Sequence, residues 1–148
     1  MYMLRCENHF DSTHFLTDYF GKCENIHGHR WKVVVSIAQN ELQTKGSEKA
    51  MVMDFGRFKK AVHELCLELD HRFLLEEGSL NQATIDALTS EGFILKFFPF
   101  RTTAENLARW VFEELEKREL PVYEVQMYET PNNCAIYRPY ESLKIPKS

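Results

Sequence analysis

Apolar and polar positions alternate over residues 2–14. Tyr2, Leu4, Cys6, Phe10 and His14 share one parity, and Arg5, Glu7 and His9 the other. That period of two predicts a half-buried strand. Residues 15–26 (FLTDYFGKCENI) read as a loop. Residues 29–38 predict a second strand with Trp31, Val33, Val35 and Ile37 on one face. The polar stretch 39–49 predicts a hairpin connection, and AMVM (50–53) predicts its returning partner strand. The period then changes. Asp54 is placed to cap a helix, in which Phe55, Phe58, Ala61, Val62, Leu65, Cys66 and Leu69 recur at helical spacing as far as Asp70-His71. Residues 74–92 carry no clear period and leave room for a short helix, and FILKFF (93–98) predicts a strand. Thr102 and Glu105 have capping-box spacing, ahead of a second helical stripe of Leu107, Ala108, Val111, Phe112 and Leu115. Residues 122–129 and 133–138 predict a closing hairpin around Thr130-Pro131-Asn132.

This order of elements predicts an α+β domain over 1–148, an antiparallel β-sheet with two helices packed on one face. A small open sheet has exposed edges, which oligomers often pair. Composition adds exclusions. With 44% hydrophobic and 27% charged residues the chain is ordinary globular material. A net charge of −4 without a basic run argues against nucleic acid as a partner. No apolar run approaches the ~20 residues of a membrane span, and MYMLRCENHFDS lacks the apolar core of a signal peptide. The expected setting is the cytoplasm. Cys6, Cys23, Cys66 and Cys134 form no C-x-x-C and are expected as reduced thiols, with all but Cys23 at strand or helix positions that read as core.

The sharpest chemical feature is His27-Gly28-His29. Histidines at i and i+2 of an extended chain point to one side, and the glycine removes bulk between them. Both share the parity of Trp31, and His14 ends the apolar face of the first strand. Three neutral imidazoles with one open position make a catalytic zinc shell; a turn with two solvated histidines is the other reading. Cys23, four residues before His27 and next to Lys22, is either a base or nucleophile or an incidental surface thiol. Asp70-His71 either caps a helix or forms a proton-transfer pair. Glu129 ends the apolar face of Val125 and Met127, so it either pairs with a basic side chain or binds adjacent N–H donors of a ligand. Capping alone explains Glu105. His9 and His63 read as surface or structural, and Phe97, Phe98 and Phe100 as core or interface.

Taken together, F-D-S-T-H (10–14), C-E-N-I-H-G-H (23–29), M-V-M-D-F-G (51–56), L-D-H-R-F-L (69–74), T-A-E-N-L-A (103–108) and Y-E-T-P (128–131) resemble the 6-pyruvoyl-tetrahydropterin synthase / 6-carboxy-tetrahydropterin synthase family. They stand in family order over about residues 10–137. The resemblance implies the tunnelling fold (T-fold), with sheets joined into a barrel by oligomerisation and trimers commonly paired into hexamers. It implies zinc on His14, His27 and His29, proton-transfer roles for Cys23, Asp70 and His71, and a pterin anchor in Glu129, with Thr103 and Glu105 close by. The family often has proline where Thr102 stands; either residue can cap a helix. The implied substrate is 7,8-dihydroneopterin triphosphate. In the queuosine (7-deazaguanine) branch the products are 6-carboxy-5,6,7,8-tetrahydropterin, acetaldehyde and triphosphate. Glu24 also creates Glu-x-x-His-Gly-His, which resembles folate-branch members that make 6-hydroxymethyl-7,8-dihydropterin, so that activity, a dual activity and 6-pyruvoyl-tetrahydropterin synthesis stand as alternatives. A non-catalytic zinc or pterin-binding module is a reading of another class. Cys23, Asp70 and His71 argue against it, because binding alone needs no paired bases.

Overall fold

The N-terminal hairpin carries the site. β1 (Tyr2–His14) and β2 (His27–Gln39) pair antiparallel along their whole length, from Tyr2 opposite Gln39 to His14 opposite His27. The three positions of the candidate metal shell, His14, His27 and His29, thus fall at the loop end of one long hairpin. In this computed structural model residues 1–140 are described; residues 141–148, the tail of the expected domain, lie outside the described residues. Phe10, Trp31, Val33, Val35 and Ile37 are buried on one face of the sheet, as their parity predicts.

Two helices cover that face. α1 (Phe55–Leu69) begins where the Asp54 carboxylate accepts the Arg57 N–H at 3.0 Å, and it buries Phe58, Val62, Leu65, Cys66 and Leu69. Two further segments follow, β3 (Arg72–Glu76) and α2 (Gln82–Ser90), then β4 (Leu95–Phe98). The second covering helix, α3 (Ala104–Lys117), buries Leu107, Ala108, Val111, Phe112 and Leu115. Each buried Leu, Val or Phe among these, taken from water, stabilises the fold by about 1.5–3 kcal/mol before entropy is counted. The chain closes with the hairpin of β5 (Val122–Thr130) and β6 (Asn133–Tyr137).

The six-stranded sheet runs β4-β3-β1-β2-β5-β6. It is mixed, where an antiparallel sheet was expected: β3 pairs parallel with β1 and with β4, and the other pairings are antiparallel. The helices cause this. Parallel neighbours need a crossover rather than a tight turn, and α2 supplies one between β3 and β4. There are accordingly three α-helices among the described residues, not two. α2 buries no residue and stops at Gly92, which takes a left-handed φ of 88°.

Two local expectations also change. Residues 50–53 form no strand. Ala50 and Met51 are tied to Gln43 by backbone hydrogen bonds while Val52 and Met53 pack into the core, so their apolar character serves packing and not pairing. The cap of α3 is Thr103, whose Oγ1 accepts the Asn106 N–H at 3.3 Å; Thr102 is buried and turned elsewhere.

Candidate metal centre and its flanking cavities

The β1–β2 register builds the triad. His14 faces His27 across the strands, Ser12 faces His29, and the period of two brings all three imidazoles to one side. Their ring centroids lie 4.6, 4.9 and 5.2 Å apart, and their candidate ligand nitrogens all fall within 4.8 Å of one another. Gly28 stands against β1, where an added Cβ would press on the Ser12 carbonyl at 3.4 Å. The indole of Trp31 lies beneath, in edge contact with His14 and His29 at 5.0 and 5.1 Å.

Hydrogen bonds to main-chain carbonyls set the outer ring nitrogens. His14 Nδ1 donates to the Thr102 carbonyl at 2.8 Å and His27 Nδ1 to the Asn25 carbonyl at 2.7 Å. Such bonds fix the tautomer that leaves Nε2 as a lone-pair donor. The Nε2 atoms of His14 and His29 are buried with no hydrogen-bond partner. Burial holds the His14 pKa down at about 4, against the Thr102 hydrogen bond, and the His27 and His29 charges push the same way as burial. His29 is lowered too, by burial and then by His27. Three imidazoles gathered within ligand distance, two of them with buried inward nitrogens that lack a partner, are a donor set that fits a divalent metal of borderline softness.

Glu129 is the neighbouring carboxylate, with Oε1 4.0 Å from His14 Nε2. Because His14 is neutral, this is a carboxylate beside an open nitrogen and not an ion pair. Burial raises the Glu129 pKa, the Glu105 charge raises it further, and His27 lowers it. No Lys or Arg forms an ion pair with Glu129 among the described residues. Glu129, Glu105, Thr103, Arg101, Asn133 and Cys134 line a cavity of about 380 Å³.

The Asp70-His71 pair forms where α1 ends. Asp70 Oδ1 accepts the Asp11 N–H at 2.8 Å, and Oδ2 lies 2.9 Å from His71 Nδ1. The His71 N–H in turn donates to the Asp11 carbonyl at 2.7 Å. The Asp11 hydrogen bond is the first cause of a lowered Asp70 pKa, opposed by burial and aided by His71. His71 takes a left-handed φ of 53°. It opens into a larger, mostly apolar cavity of about 630 Å³, shared with Gly28, His29, Phe73, Leu88 and Ile94.

Cys23 lies in a 3-10 turn, Lys22–Glu24, and is half-buried. Its carbonyl accepts the Leu16 N–H at 2.8 Å, which folds the loop back on itself. Cys23 lines neither cavity within one protomer. All four cysteines are free. Cys6 and Cys66 are core thiols, pushed up to about 11 and about 12 by burial. Cys134, also expected in the core, is instead exposed on the edge strand β6. His9 is exposed, and His63 bonds Asn8 at the surface, as expected. The sequence reading missed the support from Asp11, Asn25 and Thr102, because main-chain atoms supply it and residue type carries no signal for that.

The chain matches the family described as 6-pyruvoyl tetrahydropterin synthase over residues 3–140. A Haemophilus influenzae protein named 6-carboxy-5,6,7,8-tetrahydropterin synthase is 36% identical, over 93% of this chain and 99% of that one. The human protein named 6-pyruvoyl tetrahydrobiopterin synthase is 33% identical, over 80% of this chain and 72% of that one. The solved structure of Caenorhabditis elegans 6-pyruvoyl tetrahydropterin synthase superposes with a TM-score of 0.66 at 23% identity, covering 93% of this chain and 95% of the other, which is the same T-fold.

Proposed function

The chain belongs to the 6-pyruvoyl tetrahydropterin synthase family, and from that premise we propose that it converts 7,8-dihydroneopterin triphosphate to 6-carboxy-5,6,7,8-tetrahydropterin, acetaldehyde and triphosphate, a step of queuosine (7-deazaguanine) biosynthesis. One observation carries the choice of product: the relative of that name aligns over nearly the whole of both chains. His14, His27 and His29 hold zinc, and their mutual proximity, with the buried unpartnered Nε2 atoms of His14 and His29, supports this. When bound, zinc supplies a Lewis acid that acidifies the substrate side chain.

The remaining chemistry belongs to the chain's own groups. Glu129 takes the amino and N–H edge of the pterin through parallel hydrogen bonds, with Thr103 and Glu105 lining the same cavity. Cys23 acts as base on one face of the substrate. His71, oriented by Asp70 at 2.9 Å, moves a proton on the other. His71 and Glu129 open into different cavities of one protomer, which supports a shared site completed by a second copy in a homo-oligomer, a hexamer of two trimers. The 1–148 chain acts as a single domain in the cytoplasm.

Product analysis after incubating the zinc-loaded protein with 7,8-dihydroneopterin triphosphate tests the reading. Carboxypterin and acetaldehyde are expected. Pyruvoyl- or hydroxymethyl-pterin would overturn the branch, and unchanged substrate would overturn the enzyme. Cys23→Ala should abolish turnover with zinc still bound; loss of zinc in that variant would make Cys23 a ligand instead of a base.

A further inference from the structure

The cavity that holds Glu129 takes one wall from the loop between β1 and β2. Leu16 and Tyr19 reach it from there, and Tyr19 is the only aromatic side chain among the described residues that line it. The ring is 41% exposed and stands outside the hydrophobic core, so core packing does not account for it. Its position is nevertheless defined. The Gly21 N–H donates to the Tyr19 carbonyl at 3.2 Å in a tight turn, and the ring folds back over Gly21. A Cβ on Gly21 would stand 2.7 Å from Tyr19 Cε1, so any side chain there pushes the ring away. Gly21 itself is extended, with φ 172° and ψ 179°, a backbone that every residue adopts. Glycine thus serves here by leaving space and not by its dihedral freedom. The loop is closed at its base, where the Leu16 N–H donates to the Cys23 carbonyl at 2.8 Å.

A carboxylate that takes the edge of a planar heterocycle fixes the ring in its plane and leaves both faces to be covered. An aromatic side chain covers such a face better than an aliphatic one, because offset stacking adds to the area it buries. We propose that Tyr19 stacks on the ring of the substrate whose edge Glu129 holds, and that Gly21 keeps open the space in which the Tyr19 ring sits. This rests on the pterin reading given above.

The test titrates neopterin triphosphate, a fluorescent oxidised pterin, into zinc-loaded protein. Tyr19→Ala should weaken binding by about fivefold or more. Tyr19→Phe should stay within about twofold, since the ring and not the hydroxyl makes the contact. Gly21→Ala should weaken binding by about threefold or more in the wild-type background and add nothing to Tyr19→Ala, where no ring remains to be displaced. Wild-type affinity in Tyr19→Ala would overturn the proposal, and so would additive losses in the double variant. A loss in Tyr19→Phe equal to that in Tyr19→Ala would move the contact to the hydroxyl and overturn stacking. Zinc content and melting temperature of Tyr19→Ala should match the wild type; a fall in either would make the ring a brace for its loop and overturn the proposal as well. Wild-type protein that binds no pterin would overturn the pterin reading itself, a result distinct from all the others.

Discussion

His71 is held in a backbone conformation that costs an L-residue about 1–2 kcal/mol, and its N–H and imidazole are both anchored, to Asp11 and Asp70. Asparagine tolerates that conformation and valine does not. His71→Asn should therefore keep its melting temperature within a few degrees while turnover falls by roughly 10²–10⁴-fold. His71→Val should lose stability as well, by about 1–3 kcal/mol, read from urea midpoints. His14 makes a pH prediction. Folded, it titrates near 4, against an ordinary value of 6.5. Between those values only the unfolded chain takes up the proton, so stability rises with pH across the window. Metal-free protein should be fully stabilised in this respect above about pH 6.5 and should lose on the order of 2 kcal/mol by pH 5. Chemical denaturation at both pH values measures the difference, which should shrink in His14→Asn. The triad was legible at this scale because parity alone places three imidazoles on one face. The hydrogen bonds that hold His14 and Asp70 were not, since both run to backbone atoms distant in sequence.

Elements with a strong period were read from the sequence nearly to their ends. α1 begins after Asp54 and ends before Asp70, and β1 keeps its parity for its full length. β3 was missed because Phe73, Leu74 and Leu75 are all buried. A strand covered on both faces shows a continuous apolar run that has no period to detect. AMVM was misread for a related reason: its apolar side chains are spent on the core, and burial does not imply pairing. The α3 cap is displaced by one residue because two threonines stand in succession and only one can point at the helix. Thr103→Ala should cost about 1 kcal/mol and lower the melting temperature by a few degrees. Thr102→Val should leave the cap intact and hold His14 through the unchanged carbonyl, with zinc affinity altered only severalfold. Calorimetry and zinc titration of the two variants separate these effects.

The molecule as a whole presents an apolar surface at the larger cavity. Ile26, Phe93 and Ile94 line it and are each more than half exposed in the protomer, at 63%, 60% and 55%. In the proposed ring a second copy covers them. Phe93→Asp should lower the assembled mass seen by light scattering and reduce turnover in parallel, while the protomer's far-ultraviolet circular dichroism is retained. The strand order also governs how the chain is made. β1 and β2 are complete at Gln39, yet one edge of β2 waits for β5, which begins at Val122. At ribosomal speeds of ~5–20 residues per second, a gap of roughly 80 residues leaves that edge open for about 4–16 s. During synthesis Val33 and Val35, fully buried at the end, border an unsatisfied ladder. The nascent hairpin is thus a template for wrong partners until the last fifth of the chain emerges, and Lys32 and Ser36 are the polar residues that bound its run of three valines on either side.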